Sequence, residues 1–195
     1  MSVGIAVYTL AEYEALSDGD ALAAIIAGFS CPLNPEVEDF LRNKARQSSR
    51  LLSTASYLVM DVETGALLGY FTLMSKPYAV KREVLSATNR KLISRFAEFD
   101  SETDTYTASV FLIAQIGKNY AVEGGRRISG ADLLALAKNC LRQVRQKIGG
   151  KLVLVEREMN RPKLLPFYQC NGFKSWTVRH SERDGMDYDQ MIAVI

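Results

Sequence analysis

Two short segments carry the residue types that could do chemistry, and the first of them suits an anion. It is residues 126–132, with the sequence Arg-Arg-Ile-Ser-Gly-Ala-Asp, and it precedes the clearest helical pattern of the chain. Free N–H groups at a helix N-terminus bind anions, the helix dipole favours them, and arginine adds charge-assisted hydrogen bonds. An ordinary loop in which Ser129 caps the helix would explain the same residues, and both interpretations stay open. A P-loop is excluded, because Gly130 is followed by Ala and Asp instead of Lys and Ser or Thr.

The second segment is residues 163–173, in which Tyr168 is followed four residues later by Gly172 and then Phe173. Taken alone, this pattern predicts a short helix that buries aromatic side chains and ends at a glycine. A tyrosine hydroxyl has an ordinary pKa of about 10, so it is protonated at neutral pH and can donate a proton.

The composition excludes several other kinds of site. The chain has 195 residues, a net charge of +2 and one histidine, so a two-histidine metal site is excluded and no metal is expected. That histidine, His180, lies in a polar stretch and is expected to face solvent. Three cysteines without close pairs indicate a reducing compartment, and we expect a cytoplasmic protein. The longest apolar run, residues 21–27, is too short to span a membrane, and the N-terminus does not resemble a signal peptide.

The elements that must position these segments alternate between strands and helices. Strands are predicted over residues 3–10, 56–62, 67–74, 106–117, 151–156, 173–178 and 188–195. Helices are predicted over residues 11–27, 35–48 and 162–170, and a further helix carries a buried stripe that includes Leu134, Ala137, Leu141, Val144 and Ile148. We therefore expect one α+β domain over residues 1–195, with a mixed central β-sheet flanked by helices.

Residues 76–104 differ from the rest of the chain because they are polar, with basic residues first and acidic residues after them. They are interpreted as a partly helical insertion or lid. A solvated surface segment is the simpler alternative.

The two segments together resemble motifs of the GNAT superfamily of N-acetyltransferases, which use acetyl-CoA. Arg127 and Gly130 match the superfamily's pyrophosphate loop, whereas Asp132 stands where the family has a small residue. Tyr168 to Phe173 reproduces the motif of the later helix. The resemblance covers a core of about residues 50–195, preceded by a strand and helices in residues 1–49. Those N-terminal residues, together with residues 68–73, also resemble GNAT toxins.

The resemblance implies where acetyl-CoA would bind. The pantetheine arm would pair with the strand end at Ile116, Gly117 and Lys118, and Asn160 and Lys163 lie near a second cofactor contact. The pyrophosphate would lie on the loop formed by Arg126, Arg127, Ile128, Ser129, Gly130, Ala131 and Asp132. Tyr168 matches the family's general acid; hydrogen bonding to sulfur or packing in the core is the alternative role. Glu156, Glu158 or a chain of water molecules would act as base.

The function implied is acetyl transfer to an amine, and the acceptor is a small molecule, a protein or an aminoacyl-tRNA. The alternative is a toxin of a toxin–antitoxin pair that acetylates aminoacyl-tRNA. Residues 138–163 contain eight basic and two acidic residues, which suits RNA phosphates, although a solvated helix face explains them too. A third hypothesis, prompted by Asp132, is a non-catalytic CoA-binding module. A homodimer and an antitoxin are further expected partners, and a membrane is not.

Overall fold

The computed structural model describes residues 4–17, 19–121 and 128–195, and within them it contains strands of one sheet and helices. The strands are β1 (Ile5–Thr9), β2 (Ala55–Asp61), β3 (Leu67–Lys81), β4 (Glu98–Asp100), β5 (Thr105–Lys118), β6 (Leu152–Glu158), β7 (Lys174–Ser181) and β8 (Met186–Val194). The helices are α1 (Leu10–Leu16), α2 (Gly19–Ala27), α3 (Pro35–Asp39), α4 (Ala45–Arg50), α5 (Ala87–Ile93), α6 (Gly130–Ile148) and α7 (Leu164–Cys170).

The sheet is mixed, as the sequence predicts for an α+β chain. Its strand order is β1-β2-β3-β5-β6-β8-β7, and the short strand β4 pairs with β5 off this path. Strands β5 and β6 are parallel, with Val110–Leu112 paired to Leu152–Leu154. The pairs β1–β2, β2–β3, β6–β8 and β7–β8 are antiparallel. The predicted α+β class with a mixed sheet is therefore confirmed.

The chain divides into two compact units, and each is described by itself. The first unit comprises Met1–Met74 and Ile113–Ala137, and the second comprises Ser75–Leu112 and Lys138–Ile195. The single domain predicted for residues 1–195 stays a prediction. No helix within the described ranges is both long enough and apolar enough to cross a membrane.

The core of the first unit lies between its N-terminal helices and strands β2 and β3. Phe29 and Tyr70 are fully buried, and their rings make an edge-to-face contact with centroids 5.2 Å apart. The Tyr70 hydroxyl donates a hydrogen bond of 2.5 Å to the carbonyl oxygen of Val37. Because a buried hydroxyl without a partner is costly, this bond fixes helix α3 over the sheet.

Helix α3 begins at Pro35, which the sequence predicts from the Asn34-Pro35 pair, although the Asn34 side chain makes no cap hydrogen bond. A π-helical turn, Phe40–Lys44, separates α3 from α4. This turn holds one more residue than an α-helical turn. The side chains that follow it are therefore rotated about the helix axis. Leu41 and Ala45 remain buried on either side of the shift.

The core of the second unit is formed by β6, β7 and β8. Val153, Leu154 and Ile192 are at most 2% exposed, which reflects the nearly continuous apolar run that predicts β6. Helix α7 ends at Cys170, and Gly172, which follows the cap residue Asn171, has a φ of +84°, the left-handed conformation that glycine adopts without strain.

The structure differs from the sequence prediction at the end of β3 and in α6. Strand β3 continues from Met74 to Lys81, because Tyr78 and Val80 alternate with exposed residues and are buried. The partly helical character predicted for residues 76–104 is confirmed by α5. In α6 the stripe residues Leu134, Ala137 and Leu141 are buried, but Ile148, the last residue of the helix, is 69% exposed.

Candidate active site

The N-terminus of α6 is closed by a reciprocal pair of hydrogen bonds between Ser129 and Asp132. The Ser129 hydroxyl accepts from the Asp132 backbone N–H at 3.1 Å. The Asp132 carboxylate accepts from the Ser129 N–H at 2.9 Å and from the Ser129 hydroxyl at 2.7 Å. The hydrogen bonds from the Ser129 hydroxyl and N–H lower the pKa of Asp132. The acid that departs from the family motif therefore acts as half of a capping box.

This cap leaves a limited anion site at the start of α6. Gly130 and Ala131 are exposed first residues of the helix, and their N–H groups have no acceptor within its first turn. The Ser129 N–H is already bonded to a carboxylate. Ile128 is 2% exposed as a whole residue, so little of it is accessible to a ligand. Arg126 and Arg127 lie outside the described residues.

The end of β5 is a place where backbones approach closely. A Cβ added to Gly117 would lie 2.4 Å from Val37 Cγ1 and 3.4 Å from the Phe29 ring, so only glycine fits there. Ile116 and Lys118, on either side, are half-buried.

The end of β5 and the first turn of α6 both approach strand β3 closely at Gly69. A Cβ on Gly69 would lie 2.7 Å from the Gly117 carbonyl oxygen and 2.9 Å from Leu133 Cδ1. The two segments proposed to bind the cofactor therefore meet the same residue of β3. A side chain at this position would push the strand end and the helix apart.

Asn119, which the sequence analysis did not single out, anchors the end of β5. It is 2% exposed, and its side-chain N–H donates to the Leu67 carbonyl oxygen at 2.9 Å. Its side-chain oxygen accepts from the N–H groups of Ser30 and Ala121, both at 3.0 Å. The only signal for this role in the sequence is a lone amide directly after a buried strand.

Tyr168 lies in the second unit and is 7% exposed. Its ring makes edge-to-face contacts with Phe167 and Phe173, at centroid distances of 5.1 and 5.7 Å. Burial and the nearby Glu158 carboxylate raise the pKa of Tyr168 to about 12. No described residue hydrogen-bonds to its hydroxyl. The group is thus a protonated donor whose proton is not committed elsewhere.

The two candidate bases on β6 have different environments. Glu156 accepts from Arg179 at 2.9 and 3.2 Å and from the Gln190 amide at 2.8 Å. Burial raises the pKa of Glu156, but the hydrogen bonds from Arg179 and Gln190 and the charge of Lys76 outweigh it, so the pKa is lowered. Glu158 pairs with Arg161 at 2.6 Å. Both carboxylates therefore pair with an arginine, and Glu158 is the one whose charge acts on Tyr168.

A buried ion pair holds the same end of β6. Arg157 and Asp189 approach to 3.1 Å, and their side chains are 6% and 7% exposed. The Ser175 hydroxyl donates to the Asp189 carboxylate at 2.8 Å, and Arg157 donates to the Glu158 carbonyl oxygen at 3.2 Å. The pair joins β6, β7 and β8 next to Glu158. No spacing in the sequence indicates it, because its members are on different strands.

The remaining predicted residues are at the surface. Asn160 is exposed and contacts the sulfur of Met186 at 3.5 Å. The side chain of His180 is 60% exposed and pairs with Asp187 at 2.7 Å, so it faces solvent as predicted. Among the described residues, no group of three or more His, Cys, Asp or Glu side chains is placed to hold a metal ion.

Comparison with known proteins gives structural matches only. No model of a known protein family matches the chain, and no curated protein sequence matches it significantly. The crystal structure of a bacterial toxin matches 99% of this chain and 92% of its own, with a TM-score of 0.68 and 17% identity. The structure of AtaT complexed with acetyl-methionyl-tRNAfMet matches 95% of this chain and 94% of its own, with a TM-score of 0.64 and 17% identity.

A third structure is a mutant of the toxin AtaT bound to acetyl-CoA and to the C-terminus of the antitoxin AtaR. It matches 96% of this chain and 93% of its own, with a TM-score of 0.58 and 16% identity. The first match covers nearly the whole chain, so residues 76–104 lie within the matched region. These matches show that the chain has the fold of these toxins, which confirms the GNAT-like α+β fold expected from the sequence.

Proposed function

We propose that this GNAT-fold chain is an acetyl-CoA-dependent N-acetyltransferase, and that its acceptor is the amino group of an aminoacyl-tRNA. The observation that carries the proposal is the likeness, over 95% of this chain, to a toxin structure that contains an acetylated aminoacyl-tRNA. The likeness favours the toxin hypothesis over an acetyltransferase with another acceptor. The residues of each unit supply what such a reaction needs.

The first unit offers a place for the cofactor. The N–H groups of Gly130 and Ala131 would hold the pyrophosphate, and the backbone of Ile116–Lys118 would pair with the pantetheine arm. The absence of a side chain at Gly117 and at Gly69 lets the β5 end and α6 approach each other. When bound, acetyl-CoA supplies an acetyl group activated as a thioester.

The second unit offers the proton donor. Tyr168, with its pKa raised to about 12, stays protonated at neutral pH and would donate to the sulfur that leaves. The base that receives the proton of the acceptor amine stays open, because Glu156 and Glu158 both pair with an arginine and a chain of water molecules is the alternative.

Several basic residues of the stretch 138–163, which would contact RNA, already have partners within the protein. Of its eight basic residues, Arg157 is buried against Asp189 and Arg161 pairs with Glu158. Lys138 donates to the Asn171 carbonyl oxygen, and Arg145 to that of Ile195. The exposed residues Arg142, Lys147, Lys151 and Lys163 are left as the charges for phosphate contact.

An antitoxin is the protein partner that the likeness favours, because one similar structure is bound to the C-terminus of its antitoxin. A homodimer stays a prediction. A CoA-binding module without catalysis is kept as a second candidate, because Asp132 occupies the Ser129 N–H and places a negative charge at the cofactor loop.

Expression in bacteria separates these candidates. We expect the wild-type chain to arrest growth and Tyr168→Phe to relieve the arrest, while acetyl-CoA raises the melting temperature of both purified proteins. A large group at the helix start, in Gly130→Trp, should abolish the thermal shift. Relief of arrest without any thermal shift in the wild type would contradict the proposal. A shift without arrest or acetyl transfer would favour the non-catalytic module.

A further inference from the structure

An open groove of about 670 Å³ lies in the second unit, and Tyr168, Glu156 and Glu158 are not among its lining residues. Its lining includes Arg95, Phe96 and Glu98, which precede or begin β4, and Lys76 on β3. The hydroxyl side chains of Thr107 and Ser109 on β5 are exposed on its other side. The groove is large enough for a nucleotide-sized group.

Two cations lie near one aromatic ring at this groove. The Arg95 guanidinium is 5.5 Å from the centroid of the Phe96 ring, and Lys151 Nζ is 5.9 Å from the same centroid. Neither cation forms an ion pair with any residue of the described ranges. Two unpaired positive charges beside a half-buried ring are an arrangement that favours an anion attached to a flat group.

The other polar groups of the groove are compatible with such a ligand. Thr107 and Ser109 present hydroxyls that can donate to, or accept from, a sugar or a base. Glu98 is the one carboxylate among the lining residues, and it can accept from a ribose hydroxyl or an exocyclic amine. The charge of Lys76 also acts on Glu156 and lowers its pKa, so Arg95 is the lining cation that is left for a ligand; Lys151 does not line the groove and lies only beside the Phe96 ring.

We propose that this groove binds a single-stranded nucleotide end of the RNA acceptor, with a base against Phe96 and a phosphate at Arg95. This inference rests on the proposed function, since it assigns that acceptor a second contact in residues 75–112. Stacking on an aromatic ring combined with backbone phosphate contacts is how single strands are bound without sequence preference. The exposed lysine Lys151 extends the same positive surface.

The test measures binding of a fluorescein-labelled single-stranded RNA ending in CCA by fluorescence anisotropy. We expect Arg95→Glu and Phe96→Ala each to weaken binding about tenfold, whereas Phe96→Tyr, which keeps a stacking ring, stays within about twofold. The matched control is Arg183→Glu, which makes the same charge change at an exposed position outside the groove. The melting temperature of each variant shows whether it is folded.

A separate titration with acetyl-CoA distinguishes the two proposals. If wild type binds acetyl-CoA but Arg95→Glu and Arg183→Glu weaken RNA binding equally, the groove inference is wrong and the proposed function stands. If wild type fails to bind acetyl-CoA, the proposed function is wrong whatever the RNA result. Loss of RNA binding in Phe96→Ala that Phe96→Tyr does not share, at equal melting temperature, would support the groove.

Discussion

The Asp132 carboxylate accepts hydrogen bonds from both the backbone N–H and the hydroxyl of Ser129, at 2.9 and 2.7 Å. It therefore occupies one of the amides that a pyrophosphate would need and adds a negative charge beside the others. The same contacts cap α6 and favour its start at Gly130. On the proposed function, we expect helix stability and cofactor affinity to oppose each other at this position.

Asp132→Ala is expected to tighten acetyl-CoA binding. A carboxylate beside a doubly charged pyrophosphate costs roughly 1 to 1.5 kcal/mol in a water-like environment, which corresponds to about fivefold to tenfold in affinity. The loss of an acid from the first turn should lower the free energy of unfolding by only about 0.3–1 kcal/mol. Calorimetric titration and urea denaturation measure the two effects. Unchanged or weaker binding in a folded variant would show that Asp132 does not face the pyrophosphate.

Gly117→Ala is expected to displace the end of β5 and weaken acetyl-CoA binding. The added Cβ would lie 2.4 Å from Val37 Cγ1, and overpacking of this kind costs about 1–3 kcal/mol of stability. The measurements are the melting temperature and the dissociation constant of acetyl-CoA.

The matched control for this change is Gly19→Ala, because a Cβ at Gly19 meets nothing within 4 Å. It should leave both measurements nearly unchanged. Combining Gly117→Ala with Val37→Ala should restore part of the loss, since the clash is removed. Equal effects of the Gly117 and Gly19 substitutions would refute this explanation.

Tyr168→Phe is expected to lower kcat about 100-fold or more with little change in the KM for acetyl-CoA, as for the loss of a general acid. Its melting temperature should change little, because no described residue hydrogen-bonds to the hydroxyl. Steady-state kinetics measures kcat and the KM for acetyl-CoA separately. A raised KM with unchanged kcat would assign Tyr168 to cofactor binding instead.

The raised pKa of Tyr168 also predicts how stability depends on pH. An unfolded tyrosine loses its proton near a pKa of about 10, whereas the folded group holds it to about 12. The folded state thus binds the extra proton between these values, so stability is full below about pH 10 and falls as the pH rises toward 12. In Tyr168→Phe the free energy of unfolding should fall less steeply with pH over this range. The change in slope should correspond to at most one bound proton. Parallel alkaline denaturation curves for the two proteins would contradict the assignment.

The buried pair of Arg157 and Asp189 is expected to be sensitive to the loss of one partner. Asp189→Asn leaves Arg157 charged and unpaired at 6% exposure, which should cost roughly 3–5 kcal/mol in urea denaturation. The control is Arg82→Gln, which breaks a 3.8 Å pair whose side chains are 50% and 51% exposed. This control should change stability by less than about 1 kcal/mol. Similar losses in both variants would contradict the burial argument.

The sequence predicted the fold where periodicity is strong. The apolar run of residues 106–117 corresponds to β5, and the Asn171-Gly172 stop marks the end of α7. It missed the second half of β3, because Pro77 and the neighbouring polar residues suggested a break although Tyr78 and Val80 alternate as in a strand. Ile148 continues the helical stripe but lies at the exposed end of α6.

The candidate site was predictable only where a local motif exists. Tyr168 and Gly130 follow from short spacings, whereas the interactions of Asn119 and Arg157 join residues far apart in the chain. Such contacts depend on the order of strands, which no local pattern encodes. The role of Asp132 as a cap does not follow from the motif either, because the residue three positions after a Ser cap is usually Glu or Gln in a capping box.

The most direct measurement is transfer of radiolabelled acetyl from acetyl-CoA to purified aminoacyl-tRNA, with mild base used to release the amino acid afterwards. We predict that the label is recovered as N-acetyl amino acid with wild type, and that Tyr168→Phe forms it about 100-fold more slowly. Uncharged tRNA should remain unlabelled. Absence of N-acetyl amino acid from a preparation that binds acetyl-CoA would contradict the account.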